Sequence, residues 1–293
     1  MILLDGKKIS AEIKNEIKKD VDSYIKKGYR QPHLVAILVG NDPASTFYVK
    51  SKMKSCAQVG FKSTNLNFES NISEERLLEE IKKLNNDEKV DGFIVQLPLP
   101  EHINVNKVLA AIDPEKDIDG FHPFNLGRLI LGMDTFVPAT PLGILEMMKR
   151  YNIDTKGKDV VILGRSNIVG KPLAISLVQK QYPGNATVTI VHSKTENLNV
   201  KLRNADILVA AIGMPGFVKE NMVKEDAVVI DVGINRVEDK TKKSGYRIVG
   251  DVDFENVASK CSFISPVPGG VGLMTVVSLL LNTLKAYKNR YGI

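Results

Sequence analysis

Short apolar runs alternate with helix-patterned segments along nearly the whole chain, and this alternation restricts the fold more than any other feature. In the second half the runs are "DVVILG" (159–164), "ATVTIVH" (186–192), "ILVAAIG" (207–213), "AVVIDVG" (227–233) and "SFISPVPG" (262–269). The first half carries "HLVAILVG" (33–40), "STNLNF" (63–68) and "GFIVQLP" (92–98). Runs of this length joined through helical segments predict parallel strands, because parallel neighbours need a long crossover connection. Asp42 followed by Pro43 predicts the cap and first position of a helix over 43–59. "SEER" opens another over 73–85, Pro141 begins a third, and a helix from 273 closes the chain. Between the two sets lies a middle segment dense in Gly, Pro and Asp. The expected class is α/β with two domains. A substrate domain would span 1–140 plus 273–293, the terminal helix packing back on it, and a Rossmann-type dinucleotide-binding domain would span 141–272.

Composition removes several classes of function. No apolar run approaches the roughly 20 residues of a membrane span, and "MILLDGKKIS" lacks the layout of a secretory leader. Cys56 and Cys261 stand far apart with no His/Cys cluster nearby, so neither a metal site nor a disulfide framework is expected. A cytoplasmic protein without a membrane contact fits best. The net charge of +6 invites a nucleic-acid reading, but the lysines of 7–30 alternate with acids at helical spacing. Aromatics are only 6% and Trp is absent, so no basic block is interleaved with stacking rings. A mild positive balance also suits an anionic small molecule or a phosphorylated cofactor.

"VVILGRSNIVGKPLAISLV" reads as strand, turn and helix, with Gly164, Ser166 and Gly170 in a variant of the dinucleotide phosphate loop. Gly164 allows the tight turn, and backbone amides with the helix N-terminus then face a pyrophosphate. An NAD site would place an acid at the end of the next strand to bind the ribose 2′-hydroxyl. That strand ends "VHSKT" instead. Arg165, Ser193, Lys194 and Thr195 offer donors and positive charge suited to a 2′-phosphate, so NADP is the expected cofactor; otherwise Arg165 and Lys194 are solvated loop residues.

In the first domain Tyr48 and Lys52 share a helical face, and Gln96 interrupts an otherwise apolar run closed by prolines. A polar side chain in such a strand needs a partner, and a lysine amine would serve. Asp119 lies near another strand end, in "KDIDGF". His122 and the other three histidines, 33, 102 and 192, read as structural.

The segments "PASTFYVKSK", "VQLPLP", "KDIDGFHPFNLGRL", "PATPLGI", "GRSNIVGKP", "HSKT", "GDVDF" and "PVPGGVGLMT" run in order through nearly the whole chain. In them the sequence resembles the bifunctional methylenetetrahydrofolate dehydrogenase/methenyltetrahydrofolate cyclohydrolase family. The resemblance implies oxidation of 5,10-methylene- to 5,10-methenyltetrahydrofolate and hydrolysis of the product to 10-formyltetrahydrofolate. It also implies a cleft between two domains and a homodimer. By the same resemblance Lys52 is the catalytic lysine, Tyr48 lines and stacks on the folate, Gln96 bonds the lysine, and Asp119 holds the pterin. Gly164, Arg165, Ser166, Gly170, Ser193 and Ile234 fall on the cofactor side, while Pro268, Gly269 and Gly270 border the substrate. Two departures stand out. Ala139 replaces the usual cysteine, and Leu273 replaces the proline after "GGVG", which should loosen the turn into the last helix. A shikimate-type dehydrogenase of similar plan gives no reason for "VQLPLP", and a cofactor-sensing module gives none for the four retained polar residues.

Overall fold

The computed structural model describes residues 1–242 and 245–293, which divide into two compact units. One comprises Ala11–Ala139 with Val276–Ile293, and the other Met1–Ser10 with Thr140–Thr275.

The elements in chain order begin with β1 (Ile2–Leu3), α1 (Gly6–Lys26), β2 (His33–Val39), α2 (Pro43–Gln58), β3 (Lys62–Phe68), α3 (Glu74–Asn86) and β4 (Gly92–Val95). Then come α4 (Val105–Ala110), α5 (Pro123–Ile130), α6 (Ala139–Arg150), β5 (Asp159–Leu163), α7 (Gly170–Val178), β6 (Thr187–Val191), α8 (Leu198–Arg203) and β7 (Ile207–Ala210). The last are β8 (Ala227–Asp231), β9 (Asn235–Glu238), β10 (Tyr246–Val249), α9 (Phe254–Val257), β11 (Cys261–Ile264) and α10 (Val271–Tyr291).

The first unit is built on a three-stranded parallel sheet ordered β3-β2-β4. β2 is central and buried along its length, which is why it reads as an unbroken apolar run. Its Val35 and Ile37 pack with Phe93 and Val95 of β4 against Leu77 and Ile81 of α3. α2 starts as the sequence predicts: the Asp42 carboxylate accepts from Ser45 N at 2.7 Å. Ser73 likewise caps α3, accepting from Arg76 N at 3.2 Å. β4 ends at Val95, short of the expected 98, although Gln96 N still donates to Ile37 O at 2.9 Å. Pro98 and Pro100 have no N–H with which to extend the ladder. Segment 116–118 continues the sheet beyond β4 through a Phe93–Asp117 bridge.

The second unit holds a six-stranded parallel sheet ordered β1-β11-β8-β7-β5-β6. Val161, Leu163, Leu208, Val229 and Ile264 from four of these strands form its core. A separate antiparallel hairpin pairs β9 with β10. By their contacts the first ten residues group with this unit, whereas the sequence analysis expects them in a substrate domain over 1–140. The reason is a strand too short to announce itself: Ile2 and Leu3 pair with Phe263 and Ile264, and Leu4 N donates to Ile264 O at 2.8 Å. At the start of α10 the Leu273 N–H donates to Gly270 O at 3.2 Å, a bond that proline could not make. Among the described residues no helix is long and apolar enough to cross a membrane, and no cluster of His, Cys, Asp or Glu is fit to hold a metal ion.

Candidate active site

In the first unit, α2 follows β2, Gln96 follows β4, and Asp119 follows the bridging segment, so three side chains converge on the carboxyl ends of parallel strands. That is where open α/β sheets bind ligands. Lys52 is 9% exposed, and its Nζ donates to Gln96 Oε1 at 2.9 Å. Gln96 Nε2 donates to Leu97 O at 2.8 Å, which fixes the amide so that its oxygen faces the lysine. The aliphatic stem of Lys52 is thus buried while its amine keeps one neutral acceptor. Burial lowers the Lys52 pKa, with the nearby Asp119 charge acting in the opposite sense. The half-buried Asp119 is pushed up to about 6, first by burial, with Lys52 pulling it down and Asp117 adding to the rise. Burial therefore weakens the hold of Lys52 on its proton and strengthens that of Asp119. Tyr48 lies one turn before Lys52 on α2, half-buried, with its ring 6.1 Å from that of Phe47.

The dinucleotide loop lies in the other unit. Gly164 adopts φ 129°, and a Cβ there would come within 2.2 Å of Ala211 O, so glycine is obligatory. A Cβ on Gly170 would meet Gly164 O at 2.1 Å. Ser166 does more than occupy the middle position: its Oγ accepts from Val169 N at 3.1 Å and Gly170 N at 3.4 Å, fixing the loop just before α7. Arg165 is exposed, and its Nη1 lies 3.4 Å from His192 Nε2, which brings the loop after β5 to the end of β6. Ser193 is exposed next to it, within a turn closed by Thr195 Oγ1 accepting from His192 N at 2.9 Å. Ile234, 46% exposed, follows β8. Pro268, Gly269 and Gly270 follow β11, where Gly269 takes φ 109° and a Cβ on Gly270 would meet Pro266 O at 2.5 Å.

The histidines have bonded environments. His33 Nδ1 and Nε2 meet Lys89 O and Thr64 Oγ1. His122 Nδ1 accepts from Phe124 N to cap α5, while its Nε2 donates to Ala110 O. His102 Nε2 donates to Ile72 O. Burial pushes the Cys56 thiol up to about 12 and the Cys261 thiol to about 11, which removes both as nucleophiles. Two groups escape the sequence reading, the buried carboxylates Asp231 and Asp251. The signals were present in "AVVIDVG", where Asp231 closes an apolar run, and in "GDVDF", where Asp251 stands between Gly250 and Val252.

Comparison with known proteins identifies the family. Residues 4–119 match the catalytic domain of tetrahydrofolate dehydrogenase/cyclohydrolase, and residues 138–291 match its NAD(P)-binding domain. The chain is 57% identical over 288 residues to the bifunctional protein FolD of Bacteroides thetaiotaomicron, covering 98% of each. The crystal structure of the bifunctional FolD from Campylobacter jejuni superposes with a TM-score of 0.93 at 49% identity, covering 99% of both chains. The Trypanosoma brucei enzyme, solved with NADP and an inhibitor, gives 0.94 at 37% identity over 100% of this chain and 99% of that one. With both domain models matched in order along one chain, this protein belongs to the tetrahydrofolate dehydrogenase/cyclohydrolase family.

Proposed function

We propose that the chain oxidises 5,10-methylenetetrahydrofolate with NADP and hydrolyses the resulting methenyl compound to 10-formyltetrahydrofolate, with Lys52 handling protons in the second step. The observation that carries the proposal is the buried lysine whose amine donates to Gln96 Oε1 at 2.9 Å near the Asp119 carboxylate. NADP supplies the hydride acceptor. Departure of hydride is driven by the lone pair of the adjacent folate nitrogen, so oxidation asks the protein chiefly for alignment. Hydrolysis asks for proton transfer. Water adds to the methenyl carbon and gives one proton to the Lys52 amine. The bond from that carbon to N5 then breaks as the Lys52 ammonium returns that proton to N5, while the hydroxyl proton leaves to solvent and the formyl C=O forms. A lysine with a lowered pKa presents the lone pair this requires. Tyr48 offers a ring face to the flat substrate, and the Asp119 carboxylate accepts from pterin N–H groups. The direct test is absorbance of the methenyl compound, appearing with methylenetetrahydrofolate plus NADP and then decaying faster than the uncatalysed rate. Appearance without accelerated decay would leave a dehydrogenase alone. The same reading takes the enzyme as a cytoplasmic homodimer that accepts polyglutamylated folates, the dimer being checked by light scattering.

Two results follow from the side chains named. Below a pH of about 6 Asp119 becomes protonated and loses an acceptor, so kcat/KM for folate should fall as pH drops through that value. Asp119→Asn should lower kcat/KM at every pH and flatten this acidic limb; a limb unchanged in the variant assigns the titration elsewhere. Arg165→Ala should raise the KM for NADP by about tenfold or more and that for NAD far less. A charge-assisted phosphate contact contributes on the order of 1.5–3 kcal/mol. Equal changes for both cofactors would show that Arg165 does not read the 2′-phosphate.

A further inference from the structure

The strand order β6-β5-β7-β8-β11 reverses between β5 and β7, and a crevice outside the carboxyl ends of these two strands is where a doubly wound sheet takes its cofactor. One wall is the 164–170 loop. The other is the chain leaving β7, close enough that Ala211 O excludes any side chain at Gly164. This second wall has no regular structure of its own, and its amides are held by one carboxylate. Asp251 is 0% exposed, and its Oδ2 accepts from Ile212 N at 2.7 Å and Gly213 N at 3.0 Å. Its Oδ1 accepts from Met214 N at 2.8 Å and Asn235 Nδ2 at 2.9 Å.

Asp251 is held in turn by Asp231 at the end of β8. The Asp231 carboxylate accepts from Gly233 N, Asp251 N and Val252 N, each at 2.9 Å. Gly250 and Gly233 are needed for this close approach, since a Cβ on either would strike the Asp231 or Asp251 carboxylate at 1.8 or 2.3 Å. The two acids thus pass the position of the β8 end on to the loop after β7.

We propose that Asp251 is a positioning residue for the dinucleotide crevice, holding 212–214 in the shape that receives NADP. The inference rests on the reading of that crevice as the NADP site. Both carboxylate oxygens accept from two N–H groups, so an amide in their place sets an NH₂ against two donors in either flip state. Asp251→Asn should therefore disturb the loop while conserving volume.

The experiment measures the NADP Kd by calorimetry together with both activities on the full chain, the cyclohydrolase being assayed on methenyltetrahydrofolate without cofactor. Asp251→Asn should raise the NADP Kd by about tenfold or more and lower dehydrogenase kcat/KM in proportion, with hydrolysis within about twofold of wild type. Collapse of this unit would strip hydrogen-exchange protection from the β5 and β7 amides, so a raised Kd with that protection retained separates positioning from collapse. An NADP Kd within about twofold of wild type overturns the proposal. If Asp251→Asn does not fold, Asn235→Ala deletes one of the four bonds and should raise the Kd by about threefold; an unchanged Kd there overturns the proposal equally. Failure of the wild type to bind NADP would instead overturn the reading of the crevice itself, and this inference with it.

Discussion

Lys52→Met should slow hydrolysis of methenyltetrahydrofolate by about 10²–10⁴-fold, the range typical of a general acid–base group, while methylenetetrahydrofolate oxidation suffers less. Methionine keeps the length and apolar bulk of the buried stem and removes only the amine. Gln96 Oε1 then loses its donor, but Gln96 is half-buried, so water can satisfy it and folding should survive. The expected signature is accumulation of the methenyl compound when the variant receives methylenetetrahydrofolate and NADP. Hydrolysis at the wild-type rate would make Lys52 a structural partner of Gln96 and nothing more.

Asp91→Ala should produce a large loss of stability in the first unit. The Asp91 side chain is fully buried and accepts from Arg30 Nη1 and Nη2, both at 2.7 Å, and from His33 N at 2.7 Å. Arg290 Nε adds a longer ion pair at 3.4 Å. Arg30 in turn lies 5.7 Å from the ring centres of Tyr287 and Tyr291, and Tyr287 OH donates to Arg30 O at 2.9 Å. One carboxylate therefore ties the start of β2, the start of β4 and the end of α10. Removing it strands a guanidinium and a buried backbone N–H, which costs about 3–5 kcal/mol for buried pairs. The lower end, about 3 kcal/mol, is expected because Arg30 is 29% exposed and water reaches it. Hydrogen exchange at the β2 and β4 amides measures the effect without assuming that two units unfold together. Protection within about 1 kcal/mol of wild type would show the network to be redundant.

The major strands and long helices were legible because their signals are local. β2, β5, β7 and β8 are buried apolar runs, and α2 and α3 begin with side-chain caps that the sequence displays. The short helices α4 and α5 hide in the middle segment that reads as loop. With six and eight residues they present too few turns for an apolar period, and their caps are the side chains of Asn104 and His122. The β9–β10 hairpin is missed for a related reason, since "NRVE" and "YRIV" carry charges where strand runs are sought.

The site divides along the same line. Residue types and spacings were enough to single out Lys52, Gln96, Tyr48 and Asp119, and the glycines of the phosphate loop, because each breaks a local pattern in its own segment. Sequence alone also determined the alternation that makes the sheets parallel. Tertiary structure decided which partner each polar group meets: that Gln96 turns its oxygen to Lys52, that Asp119 titrates near 6, and that Asp251 gathers amides 37 to 39 residues earlier in the chain. It also decided that Met1–Ser10 joins the nucleotide unit. The physical reason is range. Propensity, capping and periodicity act over one or two turns and are written in neighbouring residues, whereas desolvation and hydrogen bonding between distant segments exist only once the chain has closed around them.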